Sequence, residues 1–233
     1  MKNNISIICS YHDQSKKYDM LKLLLNTISD DVYFINNNTH RSTQLQELLD
    51  KYGKYRGVQF DEFNAQSYFL ENIQDDNEYV YNCHYRTFLD GINNNIELNP
   101  KTIYTGFNDF GNSIGHQYLM IWGHPIRVNN NLHKLYEIYS QIFDIPIEHV
   151  SHFGLFQLSN ACELYICHKD VQKEMIESTY KFIELVCESF GEDVLNKKRV
   201  VGYMIEDFIS FFWIVKEIKE NYKIIPKSII KIE

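Results

Sequence analysis

The chain has 233 residues, of which 44% are hydrophobic and 23% charged, and its formal net charge is −8. That apolar content can build a core, which excludes global disorder. The acidic balance excludes a protein that coats nucleic acid with a basic face. In chain order, Ile5 to Ser10 reads as a buried first strand, ended by the polar cluster Tyr11-His12-Asp13-Gln14. Lys16 to Ile28 has helical spacing, and Val32 to Ile35 reads as a second strand stopped by Asn36-Asn37-Asn38. Ser42 to Tyr52 is a helix stopped by Gly53, and Phe60 to Ile73 a third helix. Tyr79 to Tyr85 is a further buried strand, and Thr102 to Thr105 another. Gly106 to Gly123 reads as a long loop. Leu132 to Phe143 is an amphipathic helix, and Phe153 to Cys167 holds one or two strands. Two long helices follow, Val171 to Phe190 and Arg199 to Asn221, and Ile224 to Ile232 alternates around Pro226 like an edge strand.

This order predicts an α/β sandwich with a mainly parallel central sheet and long C-terminal helices, as one domain over 1–233. The longest apolar run, Phe208 to Val215 broken by Ser210, is far below the ~18–20 residues that span a bilayer. Ile5 to Cys9 is too short for a leader and runs at once into His12, Asp13, Lys16 and Lys17. The expected location is the cytoplasm, with peripheral contact to a membrane surface left open. Cys9, Cys83, Cys162, Cys167 and Cys187 have no metal-type spacing, so buried, reduced thiols are expected. The Asn runs read as composition rather than chemistry, and most of the 17 Tyr and 15 Phe as core.

In open α/β sheets ligands sit beyond the carboxyl ends of strands, so chemistry is sought there. Ser10, Tyr11 and His12 follow the first strand and suit contact with a base and ribose; a turn capping the next helix competes with that. His84, Tyr85 and Arg86 end the central strand. Arg grips a diphosphate by paired hydrogen bonds and His by one, against a plain strand end with a surface Arg. The Gly106–Gly123 loop carries Asp109 but no P-loop lysine, so it reads as a mobile cover or an ordinary connection. Glu206 shares a helical stripe with Ser210, Trp213 and Glu217, either facing solvent or supplying a general base. Asp75-Asp76 reads as a turn cap more readily than a cation site.

Three stretches together resemble a glycosyltransferase-like family of capsular polysaccharide and surface glycan synthesis. Tyr79-Val80-Tyr81-Asn82-Cys83-His84-Tyr85-Arg86-Thr87-Phe88 is similar to a strand leading into His-Tyr-Arg-Arg. Glu163-Leu164-Tyr165-Ile166-Cys167-His168-Lys169 resembles an Asn-Met-Phe-Ile-Met-Lys-Lys segment. Arg199-Val200-Val201-Gly202-Tyr203-Met204-Ile205-Glu206 resembles a closing helix with Arg, Gly, aromatic and Glu-Arg. The chain departs at Thr87 and Asp207, each in place of Arg, and at Glu163 in place of Asn, unless Asn160 takes that position by a short shift.

The resemblance implies a GT-A-like fold, a nucleotide-diphosphate sugar donor and a glycan acceptor. It implies Asn160, Glu163 and Arg199 as donor-binding residues beside His84, Tyr85 and Arg86, and Glu206 or Asp109 as the base. Metal-dependent members of that fold hold Mg or Mn with Asp-x-Asp, which this sequence lacks. His84 and Arg86 are expected to supply the positive field instead, with recruited Mn or Mg as the alternative. An inactive nucleotide- or glycan-binding relic and a structural protein of viral origin stay open beside the transferase.

Overall fold

The structure is a computed structural model and describes residues 4–12, 16–93, 95–107, 131–153 and 160–231. The first half runs β1 (Ile5–Tyr11), α1 (Lys16–Leu25), β2 (Val32–Asn36), α2 (Thr43–Tyr52), α3 (Phe63–Asn72), β3 (Tyr79–His84), β4 (Thr87–Leu89) and β5 (Thr102–Phe107). The second half runs α4 (Asn131–Phe143), α5 (Ile147–Phe153), β6 (Asn160–His168), α6 (Lys169–Ser189), α7 (Glu192–Leu195), α8 (Val200–Glu220), β7 (Lys223–Lys227) and β8 (Ile229–Lys231). The strands form one sheet in the order β2-β1-β3-β6-β5-β7, with β4 pairing β3 and β8. Along that path only β6 is reversed, so the sheet is mainly parallel, as the element order predicts. No helix among the described residues is long and apolar enough to cross a membrane.

Both faces of the sheet are covered, which explains why β1 and β3 are buried at nearly every position. Side chains alternate between faces along a strand. Ile5, Ile7 and Cys9 of β1 and Tyr79, Tyr81 and Cys83 of β3 pack with Leu21 and Leu25 of α1. Ile8 and Val80 face the other layer, built from α2, α3, α4, α6 and α8. The aromatic residues concentrate there. Phe182 of α6 stacks on Phe208 of α8 at 4.4 Å, and Trp213 lies 5.2 Å from Tyr165 of β6. Cys9, Cys83, Cys167 and Cys187 are free and buried, as expected.

Several boundaries shift for physical reasons. The third helix begins at Phe63 rather than Phe60, because Asp61 takes a left-handed φ of 42° that no helix can continue through. Phe153 closes α5 instead of opening a strand. The C-terminal segment splits into β7, the sheet's edge strand, and β8, which pairs β4. Asp75 caps a turn through Asn77 N–H and pairs with Lys169. The stripe of Glu206, Ser210, Trp213 and Glu217 is not a solvent face. Ser210 and Trp213 are buried, Glu206 is half-buried, and only Glu217 is exposed.

The segment 57–62, between α2 and α3, docks on the start of α8. Gly57 N–H donates to Leu195 O at 2.8 Å, and Val201 N–H donates to Gly57 O at 3.1 Å. A Cβ on Gly57 would lie 2.2 Å from Lys197 O and 2.4 Å from Leu195 O, both backbone atoms that cannot turn aside. Gly57→Ala is therefore expected to cost about 2–4 kcal/mol, read as a lower urea midpoint. An unchanged midpoint would mean that this docking carries no load.

Candidate functional site

The alternation that buries Ile8 and Val80 also sends Ser10 and His12 of the first strand and its loop, and Asn82 and His84 of β3, to that same face. β1 and β3 are parallel and in register, with Ser10 opposite His84. Two imidazoles therefore meet at the carboxyl ends of adjacent strands, their ring centroids 6.0 Å apart.

Against them the docked segment delivers Asp61 and Glu62. Asp61 is held by Arg199, whose Nε donates to its Oδ2 at 3.0 Å. A Cβ on Gly202 would fall 2.2 Å from that oxygen, so the closing helix has room for Asp61 only because residue 202 is glycine. Five non-glycine residues have positive φ among the described residues, and Asp61, Glu163 and Arg199 are three of them. Each such conformation costs roughly 1–3 kcal/mol, so strain is concentrated where these elements meet.

Glu163 sits in a bulge of β6, where the pairing with β5 slips. Its carbonyl accepts from Asn82 Nδ2 at 2.8 Å, and its carboxylate accepts from Gln66 Nε2. Gln66 Oε1 accepts from Tyr165 OH, whose oxygen accepts from Gln172 Nε2 at 3.1 Å. This buried chain fixes the Glu163 carboxylate.

Burial and crowding set the protonation states. Burial, reinforced by Asp61, pushes Glu62 up to about 7. Burial raises Glu163 and Glu206 well above the ordinary range, and Glu62 opposes the charge of both. His84 is pushed down to about 3 by burial, then by His12, Arg86 and Arg199. Burial thus favours the neutral form of His84, and Arg86, exposed and stacked 4.8 Å over the Tyr85 ring, is a cation on that side. His12, Glu62 and His84 offer ligand atoms all within 4.8 Å of one another, and His84 Nε2 and Glu62 Oε2 have no hydrogen-bond partner. Two imidazoles and a carboxylate suit a divalent cation.

Beside this group lies a cleft of about 330 Å³ at the ends of β1 and β2, lined by His12, Asn37, Asn38, Arg41, Asp61 and Asn64. Asn37 is only 3% exposed, yet both polar atoms of its amide are unpartnered, as is Asn64 Oδ1. Buried amides without partners are rare in folded proteins, and here they line an open space.

The structure thus brings together His12, His84, Glu163, Arg199 and Glu206, with Arg86 at the margin. Ser10 shares the face but is fully buried, donating to Cys83 O at 3.4 Å. Tyr11 packs toward the opposite layer, and Tyr85 is buried with its ring 4.4 Å from that of His84. The backbone of Asn160 pairs with Phe107. Asp109 lies outside the described residues. Asp61, Glu62, Asn37, Arg41 and Asn64 are not found by the sequence reading. An adjacent acidic pair just before an apolar helix was the available signal for the first two. Asn37 was hidden in a run that looks compositional.

The sequence matches no family model and no curated protein. Its fold is similar to that of the bifunctional glycosyltransferase WbbM in its apo structure, with 11% identity and a TM-score of 0.53. The likeness covers 99% of this chain and 46% of that one, so the chain spans about half of that protein's length. At this identity the likeness shows a shared fold.

The crowded carboxylates predict a pH dependence. Glu62 binds its proton more tightly folded than unfolded, so it destabilises the fold progressively as pH rises from about 4.5 to 7 and beyond that by a constant amount. Glu62→Gln, in chelator, should leave stability unchanged near pH 4.5 and raise it by on the order of 3 kcal/mol at pH 8. Urea unfolding at both pH values checks this; parallel losses would mean that Glu62 is not under this constraint.

Proposed function

We propose that residues 1–233 form one glycosyltransferase domain that moves a sugar from a nucleotide-diphosphate sugar to a hydroxyl of a glycan acceptor. The observation that carries the reading is the polar cleft at the carboxyl ends of β1 and β2, lined by Asn37, whose amide is unpartnered at both atoms, and by Asn64, whose Oδ1 is unpartnered. The likeness of the whole chain to a glycosyltransferase structure supports it. An amide offers one donor edge and one acceptor edge, as nucleobases do. The base sits against Asn37 and Asn64. The diphosphate extends past His12 toward Arg86, with Arg41 at the outer rim.

Glu206 enters from α8 as the base. Burial favours its protonated form, so it takes the acceptor's proton only when ionised, a form that a bound dication would favour. The acceptor hydroxyl gives its proton to Glu206, and its oxygen bonds to the anomeric carbon. The bond from that carbon to the diphosphate breaks, and the nucleoside diphosphate leaves with the electron pair, inverting the carbon. Asp109 is the second candidate for the base. Glu163 and Arg199 hold the surroundings of Glu206 and Asp61 in place. A divalent cation held by His12, Glu62 and His84 would neutralise diphosphate charge.

The test follows release of nucleoside diphosphate from a panel of nucleotide sugars, with water as acceptor. The unaltered chain should release it from at least one donor. Glu206→Gln should slow release about a hundredfold with donor affinity little changed. Arg86→Ala should weaken donor binding about tenfold. Full activity in Glu206→Gln would place the base elsewhere, at Asp109 first. Binding with no release by the unaltered chain would favour a binding-only protein, and binding of no donor would contradict the reading.

A further inference from the structure

We infer that His12, Glu62 and His84 bind one divalent ion of the manganese-to-zinc series, in preference to magnesium or calcium. The three side chains come from three separate places: the loop after β1, the residue before α3 and the end of β3. Their ligand atoms nonetheless converge within 4.8 Å of one another. Glu62 and His84 are more than nine-tenths buried, at 7% and 8% exposure, and each leaves a polar atom unpartnered in the shared space. An unmade hydrogen bond at a buried polar atom costs about 1–3 kcal/mol, and a metal–ligand bond is the contact that removes both deficits at once.

The donor set decides which metal. Magnesium and calcium take oxygen ligands, and two of the three donors here are imidazole nitrogens. Imidazole with carboxylate suits manganese, iron, cobalt, nickel and zinc. His84 Nδ1 accepts the Arg86 backbone N–H at 3.4 Å, a long contact, and its Nε2 lies 3.5 Å from Glu62 Oε1. Coordination through Nε2 moves the ring proton to Nδ1 and gives up that weak contact. The Tyr85 ring, 4.4 Å from His84 and 6.5 Å from His12, braces both imidazoles. His12 is only partly buried and lines the open cleft, so the remaining coordination positions face solvent or a bound ligand's oxygens. A dication here also offsets the charge of Glu62, which Glu163 and Glu206 crowd.

The test uses the full chain without a histidine tag, stripped with chelator and desalted. Cobalt(II) chloride is titrated and followed by visible absorption, and magnesium chloride by calorimetry. One cobalt ion per chain should bind, at least about tenfold tighter than magnesium. His12→Gln and Glu62→Gln should each weaken cobalt binding at least about tenfold, with the far-ultraviolet circular dichroism unchanged. His12 is partly exposed, so its variant should fold and decides the matter if Glu62→Gln does not. No cobalt binding, cobalt no tighter than magnesium, or unaltered binding in His12→Gln would overturn the inference. No nucleotide is present, so the result is independent of the transferase reading.

Discussion

Holding Glu62 in a buried space beside Glu163 and Glu206 is the constraint on which the rest of the site depends. Like charges out of water oppose one another strongly. The chain accommodates them with devices that cost stability elsewhere. Asp61 and Arg199 both adopt left-handed backbone, and the ion pair between them ties the segment before α3 to the start of α8. Gly57 and Gly202 supply the close approaches this needs. Glu163 takes its own left-handed conformation in the β6 bulge, and a chain of buried hydrogen bonds through Gln66, Tyr165 and Gln172 secures it. A fold selected for stability alone would not keep two buried carboxylates, a half-buried third and three strained residues together.

The sheet decides where this arrangement faces. Parallel β1 and β3 end side by side, and strand alternation places His12 and His84 on the face covered by α3, α6 and α8. Glu62 comes from the residue before α3, and Glu206 from the second turn of α8. The cleft along β1 and β2 opens next to them. On the proposed reading, the cleft holds the nucleotide and the carboxylate group handles the transferred proton. Burial disfavours a charged His84, and Arg86 and Arg41 are exposed cations beside it and the cleft.

The strands and long helices were legible because their apolar residues recur at strand or helix spacing, and both layers of core follow from that. His84, Arg199 and Glu206 were legible because strand ends and a marked helix start are local features. Glu62 was not, because nothing within its own neighbourhood brings it to His84. A glycine contact made with residues 195–201 does. Asn37 was hidden for a different reason. Its run looks like genome composition, and only burial of an amide with neither polar atom paired separates it from the other asparagines. The helix boundary at Phe63 and the strained Glu163 likewise come from tertiary contacts that override local preference.

Nucleotide binding in the cleft is tested by backbone hydrogen exchange of the full chain, with and without each of the common nucleoside diphosphates. At least one of them should slow exchange at 36–41 and 58–64, where the cleft lies, and leave 134–141 on α4 unchanged. Protection confined to another surface, or none with any of the nucleotides, would contradict it.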